Sequence, residues 1–218
     1  MTFKDAALKF RLQILQRRFP GSAEFWTSVY RDGGNSGEGS YGQLAMFKAE
    51  IINGFMEENA AQSVIEFGCG DGNQLSLMAY PRYLGLDVAP GAIELCSHRF
   101  RDDFTKSFIL LDPKHFKPGL GLSADLTLSL DVIFHLVELE TYETHLRQLF
   151  ATSNKWVIIY GYDSDVFFPE PYSYPRRFTK WIDINIPNWK LLKVIKNKFP
   201  LGSSGESSWS DFYVYEKM

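Results

Sequence analysis

Cysteine is scarce: only Cys69 and Cys96 occur in 218 residues. They form no C-x-x-C pair, which excludes a disulfide framework and a cysteine-based zinc site. No excess of one charge is present either, because 23 Lys and Arg face 26 Asp and Glu for a formal net charge of -3. Without a strongly basic face to neutralise phosphates, bulk nucleic-acid binding is not expected. No run reaches the roughly eighteen apolar residues of a spanning helix. The first residues scatter Lys4, Lys9, Arg11, Arg17 and Arg18 among apolar ones, so a signal peptide is not expected. These absences predict a soluble, cytoplasmic protein with no membrane partner.

What is present is a core-forming composition, 45% hydrophobic and 16% aromatic, on a length that suits one α/β domain. Up to residue 63 the patterning is helical; residues 41–58 carry Leu44, Phe47, Ile51, Ile52 and Phe55 on one face, with Ser40 placed to cap. From residue 63 short apolar runs at 63–67, 83–87, 107–111, 126–130 and 156–160 alternate with helical segments, which predicts a parallel sheet. A proline- and aromatic-rich insert at 161–178, including Phe167, Phe168 and Pro169, interrupts the pattern. Runs at 189–195 and 211–215 flank a Gly/Ser turn and predict a terminal antiparallel hairpin.

The stretch Val64-Ile65-Glu66-Phe67-Gly68-Cys69-Gly70-Asp71-Gly72-Asn73 runs an apolar strand into three alternating glycines, with a helix expected after them. Glycines there let backbone approach a ligand closely. Asp87, nineteen residues beyond Gly68 at the end of the next run, is placed to accept both hydroxyls of a ribose. The dinucleotide fingerprint G-x-G-x-x-G shares this geometry, but its last glycine is Asn73 here.

The pattern Glu66-x-Gly68-x-Gly70-x-Gly72 resembles the signature of the class I S-adenosylmethionine-dependent methyltransferases. The runs ending at Asp87 and Asp112, and the run from Ser129 to Leu136, resemble the family's second, third and fourth strands. The resemblance implies a Rossmann-like α/β fold: a seven-stranded, mostly parallel sheet with an antiparallel terminal hairpin and helices on both faces. Residues 1–62 would form a helical cap and glycine-rich flap, and 63–218 the methyltransferase core. It further implies S-adenosyl-L-methionine as cofactor, S-adenosyl-L-homocysteine as product, and no metal.

By the same resemblance Gly68, Cys69, Gly70 and Gly72 wrap the methionine moiety, with Glu66 organising the loop from beneath. Asp87 takes the ribose, Val88 packs the adenine and Asp112 accepts its amino group, while Ser129, Leu130 and Asp131 border the methyl end. The flap at 33–41 is placed to close over the cofactor through Ser36, Ser40 and Tyr41, or to serve as a linker. His135, whose imidazole has a near-neutral pKa, and Asp131 are the candidate bases. His98, His115 and His145 lack metal-ligand spacing and are read as surface or structural. An NAD(P)-dependent oxidoreductase and a catalytically inactive cofactor-binding protein are the alternatives.

Charge is unevenly spread. Residues 64–175 hold fifteen acids against eight bases, and residues 176–218 hold eight bases against four acids. Arg176, Arg177, Lys180, Lys190, Lys193, Lys196 and Lys198 form either a solvated face or a surface for an anionic small-molecule acceptor.

Overall fold

The computed structural model describes residues 19–117, 121–166 and 170–218. The basic N-terminal residues, and Phe167, Phe168 and Pro169 of the aromatic insert, lie outside the described residues.

Two helices come first, α1 (Ser22–Arg31) and α2 (Gly42–Glu58). The strands β1 (Val64–Phe67) and β2 (Tyr83–Asp87) follow, then α3 (Pro90–Arg99), β3 (Lys106–Leu110), β4 (Ala124–Leu130), α4 (Leu139–Ala151) and β5 (Ser153–Gly161). The chain ends with α5 (Phe178–Asn185), β6 (Trp189–Ile195) and β7 (Asp211–Lys217). The seven strands form one sheet in the order β3-β2-β1-β4-β5-β7-β6. β7 pairs antiparallel with both β5 and β6, and the remaining pairs are parallel.

The apolar alternation along the strands divides the core in two. Val64, Leu126, Leu128 and Ile158 pack with Phe47, Ile52 and Phe55 of α2 and Cys96 of α3. On the opposite face Ile65, Phe67, Val157 and Ile159 pack with Leu146 and Leu149 of α4 and Ile182 of α5. Helices cover both faces, as burying the strands on both sides requires. The edge strand β6 exposes Lys190 and Lys193, which discourages pairing with another sheet.

Two local expectations are corrected. No α-helix follows the glycine turn; the chain makes one 3-10 turn, Leu75–Leu77, before β2. Side chains hold the backbone otherwise: the Asn73 N–H bonds Asp71 Oδ1 at 2.8 Å and Ser76 Oγ bonds the Asn73 carbonyl at 2.6 Å, local bonds that compete with a helical ladder. Nor does Ser40 cap α2. Glu206, from the loop between β6 and β7, accepts the Gln43 N–H at 2.9 Å, a carboxylate where the helix end is positive.

Candidate active site

The strand order reverses between β1 and β4, and open α/β sheets bind ligands in the crevice outside such a switch point. At the end of β1 the backbone turns through Gly68, Gly70 and Gly72 with φ of 85°, 59° and 75°. Those values favour glycine, and space demands it too. A Cβ on Gly68 would strike Val132, and one on Gly70 would strike the Ser36 hydroxyl.

Asp87 lies buried at the end of β2, where its carboxylate accepts the N–H groups of Gly70 and Ala89, each at 2.9 Å. Burial raises its pKa against the pull of those bonds. Beneath the turn, Glu66 accepts the Tyr83 hydroxyl at 2.5 Å. Burial pushes the Glu66 carboxyl up to about 7, although the Tyr83 bond and the Lys48 charge oppose it.

The segment before α2 is fastened over this turn. The Ser36 N–H and the Tyr41 hydroxyl donate to Asp71 Oδ2 at 3.1 and 2.7 Å, while the Asp71 N–H donates to Ser36 Oγ at 2.9 Å. The Tyr30 hydroxyl meets Ser36 Oγ at 3.0 Å, and the Asn73 side-chain amide donates to the Ser40 carbonyl at 2.8 Å. Partial burial pushes the Asp71 carboxyl up, but the donors from Asn73, Tyr41 and Ser36 hold it below its ordinary value.

Flap, glycine turn and strand ends enclose a cavity of about 420 Å³, a size common for small-molecule sites. One end is walled by Gly68, Cys69, Gly70, Asp87, Val88, Leu111 and Leu130. The other end is walled by side chains, including Trp26, Lys48, Asp131, His135, Tyr172 and Ser208. The wall also includes Gln74, whose Nε2 donates to the Ala45 carbonyl at 3.0 Å while its buried Oε1 has no partner among the described residues. A buried acceptor without a donor is a place where a ligand N–H group fits.

Asp131 sits just past β4 with φ of 57°, a left-handed conformation uncommon outside glycine and typical of functional sites. Its carboxylate receives Lys48 Nζ at 2.9 Å and Ser210 Oγ at 2.8 Å. Lys48 is wholly buried on α2, with Nζ 5.3 Å from the centre of the Tyr160 ring. His135 Nδ1 lies 3.0 Å from the Tyr172 carbonyl. A carbonyl only accepts, so this contact puts the neutral ring's proton on Nδ1 and its lone pair on Nε2. Burial lowers the His135 pKa, against the Tyr172 bond and the Asp131 charge.

The family model for a methyltransferase domain matches residues 65–152. Residues 65–152 therefore carry the pattern of a methyltransferase domain. No curated protein matches the chain. Among solved structures it is similar to the N-methyltransferase NodS from Bradyrhizobium japonicum WM9 in complex with S-adenosyl-l-homocysteine: TM-score 0.62, 14% identity, 80% of this chain and 87% of that one. It is similar to magnesium protoporphyrin IX methyltransferase from Synechocystis PCC 6803 with bound SAH: TM-score 0.62, 15% identity, 95% and 99% of the two chains. The plantazolicin methyltransferase BpumL in complex with SAH matches with TM-score 0.61 and 16% identity over 97% and 99%. At these identities the likeness is one of fold.

The structure gathers Glu66, Gly68, Cys69, Gly70, Asp87, Val88, Leu130, Asp131 and His135 around the cavity. Four other candidates do not line it. The exposed Asp112 carboxylate turns to His115 Nδ1 at 2.6 Å and accepts the Lys114 N–H at 3.0 Å, which closes a local turn. Ser129 is one residue removed from the lining, its Oγ 2.9 Å from Nε2 of His145, which does line the cavity. Gly72 backs onto Phe100 and Cys96, and the Tyr41 hydroxyl is spent on Asp71.

Lys48, Gln74, Trp26, Tyr172 and Ser208 are wall residues that sequence reasoning missed. Lys48 alone had a signal, a lysine on the apolar face that Leu44, Phe47, Ile51, Ile52 and Phe55 define.

The basic cluster is elsewhere. Arg176 donates to the carbonyls of Leu136 and Val137 at 2.7 and 2.6 Å, between the rings of Tyr142 and Tyr174. Lys196 pairs with Asp211 at 2.7 Å, and Arg177 with Asp165 at 3.4 Å. None of the seven cations lines the cavity, so the expectation of an anionic acceptor loses the feature it rested on. Among the described residues no cluster of His, Cys, Asp or Glu is arranged for a metal, and no helix is long and apolar enough to cross a membrane.

Proposed function

We propose that this chain transfers a methyl group from S-adenosylmethionine to a small-molecule acceptor, both held in the one cavity. The observation that carries the reading is the pairing of Asp87 and the glycine turn at one end with His135 at the other. The cofactor supplies a methyl group already activated by its positive sulfur, which leaves the protein to align, desolvate and move a proton.

Asp87 keeps lone pairs beyond its two backbone bonds and takes the ribose hydroxyls. Gln74 Oε1 accepts from the ammonium of the methionine moiety. Val88 and Leu111 pack the adenine, and the Ser36 flap shuts out water. His135 is the base: its lowered pKa keeps it neutral near pH 7, with Nε2 free to accept. Asp131 is a poorer base because Lys48 and Ser210 already occupy its oxygens, and it acts instead to orient the acceptor. Two free, buried cysteines support a reducing, cytoplasmic setting.

Calorimetry with S-adenosylhomocysteine and with NADH tests the reading. The first should bind and the second should not, and Asp87→Ala should weaken S-adenosylhomocysteine by on the order of 1–3 kcal/mol, the value of hydrogen bonds to a charged group. Preference for NADH, or unchanged affinity in a folded Asp87→Ala protein, overturns it.

A further inference from the structure

We infer that the acceptor is an amine carried on an apolar or aromatic skeleton, bound as its ammonium between the aromatic wall and the Glu38 carboxylate. This inference rests on the methyltransferase reading and names the substrate class for the same cavity.

The charge on the cavity wall suits a cation. The lining includes four acids, Glu38, Glu66, Asp87 and Asp131, and a single lysine or arginine, Lys48. Lys48 is taken by Asp131 at 2.9 Å, so an anionic acceptor would enter a desolvated space with no cation to receive it. Glu66 and Asp87 belong to the glycine-turn end and Asp131 is compensated. Glu38 remains, a solvent-exposed residue of the flap at the cavity wall, with its carboxylate in no ion pair among the described residues. A cation is what that wall lacks.

The aromatic faces of the wall suit it too. Trp26, Tyr30, Phe134 and Tyr172 all line the cavity. Three of them surround His135: its ring lies 5.1 Å from Trp26, 4.5 Å from Phe134 and 6.0 Å from Tyr172. Phe25 stacks behind Tyr172 at 5.0 Å and fixes its plane. Such faces attract ammonium groups and hold flat or apolar skeletons.

The strength of the base points the same way. An alkylammonium, with a pKa of about 10, gives up its proton far more readily than an alcohol, whose acidity is close to that of water, so a neutral imidazole is better matched to an amine than to an alcohol. In the proposed step the bound ammonium gives one proton to His135 Nε2. The freed nitrogen lone pair forms the bond to the methyl carbon as the carbon–sulfur bond breaks with its electrons on sulfur. The products are an N-methylammonium and a neutral thioether, and the imidazolium returns its proton to solvent.

The test uses two matched trios: 2-phenylethylamine, 2-phenylethanol and phenylacetate; tryptamine, tryptophol and indole-3-acetate. Binding is measured by calorimetry at pH 8, with and without S-adenosylhomocysteine, on wild type and Glu38→Gln. Each amine should bind at least tenfold more tightly than its alcohol and carboxylate. Glu38→Gln should reduce that preference several-fold and leave S-adenosylhomocysteine affinity unchanged. Carboxylates or alcohols that bind as well as the amines, equal or absent binding across each trio, or a preference untouched by Glu38→Gln overturns the inference. Failure to bind S-adenosylhomocysteine strikes the underlying reading instead, and the amine preference of the unloaded protein is read separately.

Discussion

The two ends of the cavity are made of different material. The glycine-turn end is largely backbone, with the N–H groups of Gly70 and Ala89 tied to Asp87 and those of Gly68 and Cys69 tied to the Leu86 carbonyl at 2.7 and 3.1 Å. The aromatic end is side chains brought from far apart: Lys48 reaches across 83 positions to Asp131, and Ser210 across 79. Backbone geometry fixed by neighbouring residues is rigid and tolerates little change in shape. A wall of side chains is adaptable in shape, but its stability depends on charges and polar groups being mutually compensated. Substitutions at the two ends should therefore fail in different ways.

The largest effect is expected at Lys48. Lys48→Met keeps the stem's volume but leaves the Asp131 carboxylate without its buried cation and removes the positive charge that restrains Glu66. Removing one partner of a buried pair destabilises by about 3–5 kcal/mol. Chemical denaturation at pH 7.5 checks this. A loss below about 1 kcal/mol would mean that water already solvates the pair, and the contrast between the two ends would shrink to one of sequence distance.

Next comes pH, through His145. This histidine is buried on α4, and burial lowers its pKa to about 4 from an ordinary 6.5. The unfolded chain then takes up a proton that the folded chain refuses. Stability is intact above pH 6.5 and is lost as pH falls from there towards 4, by up to about 3 kcal/mol. Glu66, raised to about 7, runs the other way and weakens the fold as pH rises from about 4.5 to 7. A comparison isolates the histidine: His145→Gln, which keeps a polar group against Ser129, should show a flatter acid limb than wild type. Parallel denaturation profiles between pH 4 and 6.5 would rule out a neutral buried His145.

The same contrast explains what could be read in the sequence. Glu66, the three glycines and Asp87 are legible because each residue type answers a local demand of the backbone, and β1 through β7 are legible because apolar runs repeat. The absent helix after Gly72 is not legible, because Asp71, Asn73 and Ser76 redirect the chain with side-chain bonds that leave no periodic trace. Asp112 looks like Asp87 in sequence, yet it turns to a partner three residues on, His115, and takes no part in the cavity. Tyr172 reaches His135 across 37 positions, and Trp26 meets the same ring from the first described helix. No spacing rule connects them, so most of the aromatic end becomes visible only in three dimensions.

A smaller effect is expected where the two ends touch. Ser36 of the flap sits against Gly70 of the turn, and a Cβ at Gly70 would collide with the Ser36 hydroxyl and stand 3.1 Å from the Tyr30 hydroxyl. Gly70→Ala must also adopt φ of 59°, where an L side chain is strained by about 1–2 kcal/mol. If the flap is free to shift and release the collision, stability falls by little more than the strain, while S-adenosylhomocysteine affinity falls about tenfold because the flap is displaced from the turn. Pairing with Ser36→Gly, which removes the colliding hydroxyl, separates the two contributions. Affinity restored in the double variant identifies the collision as the cause, whereas no restoration assigns the loss to the backbone of the turn itself.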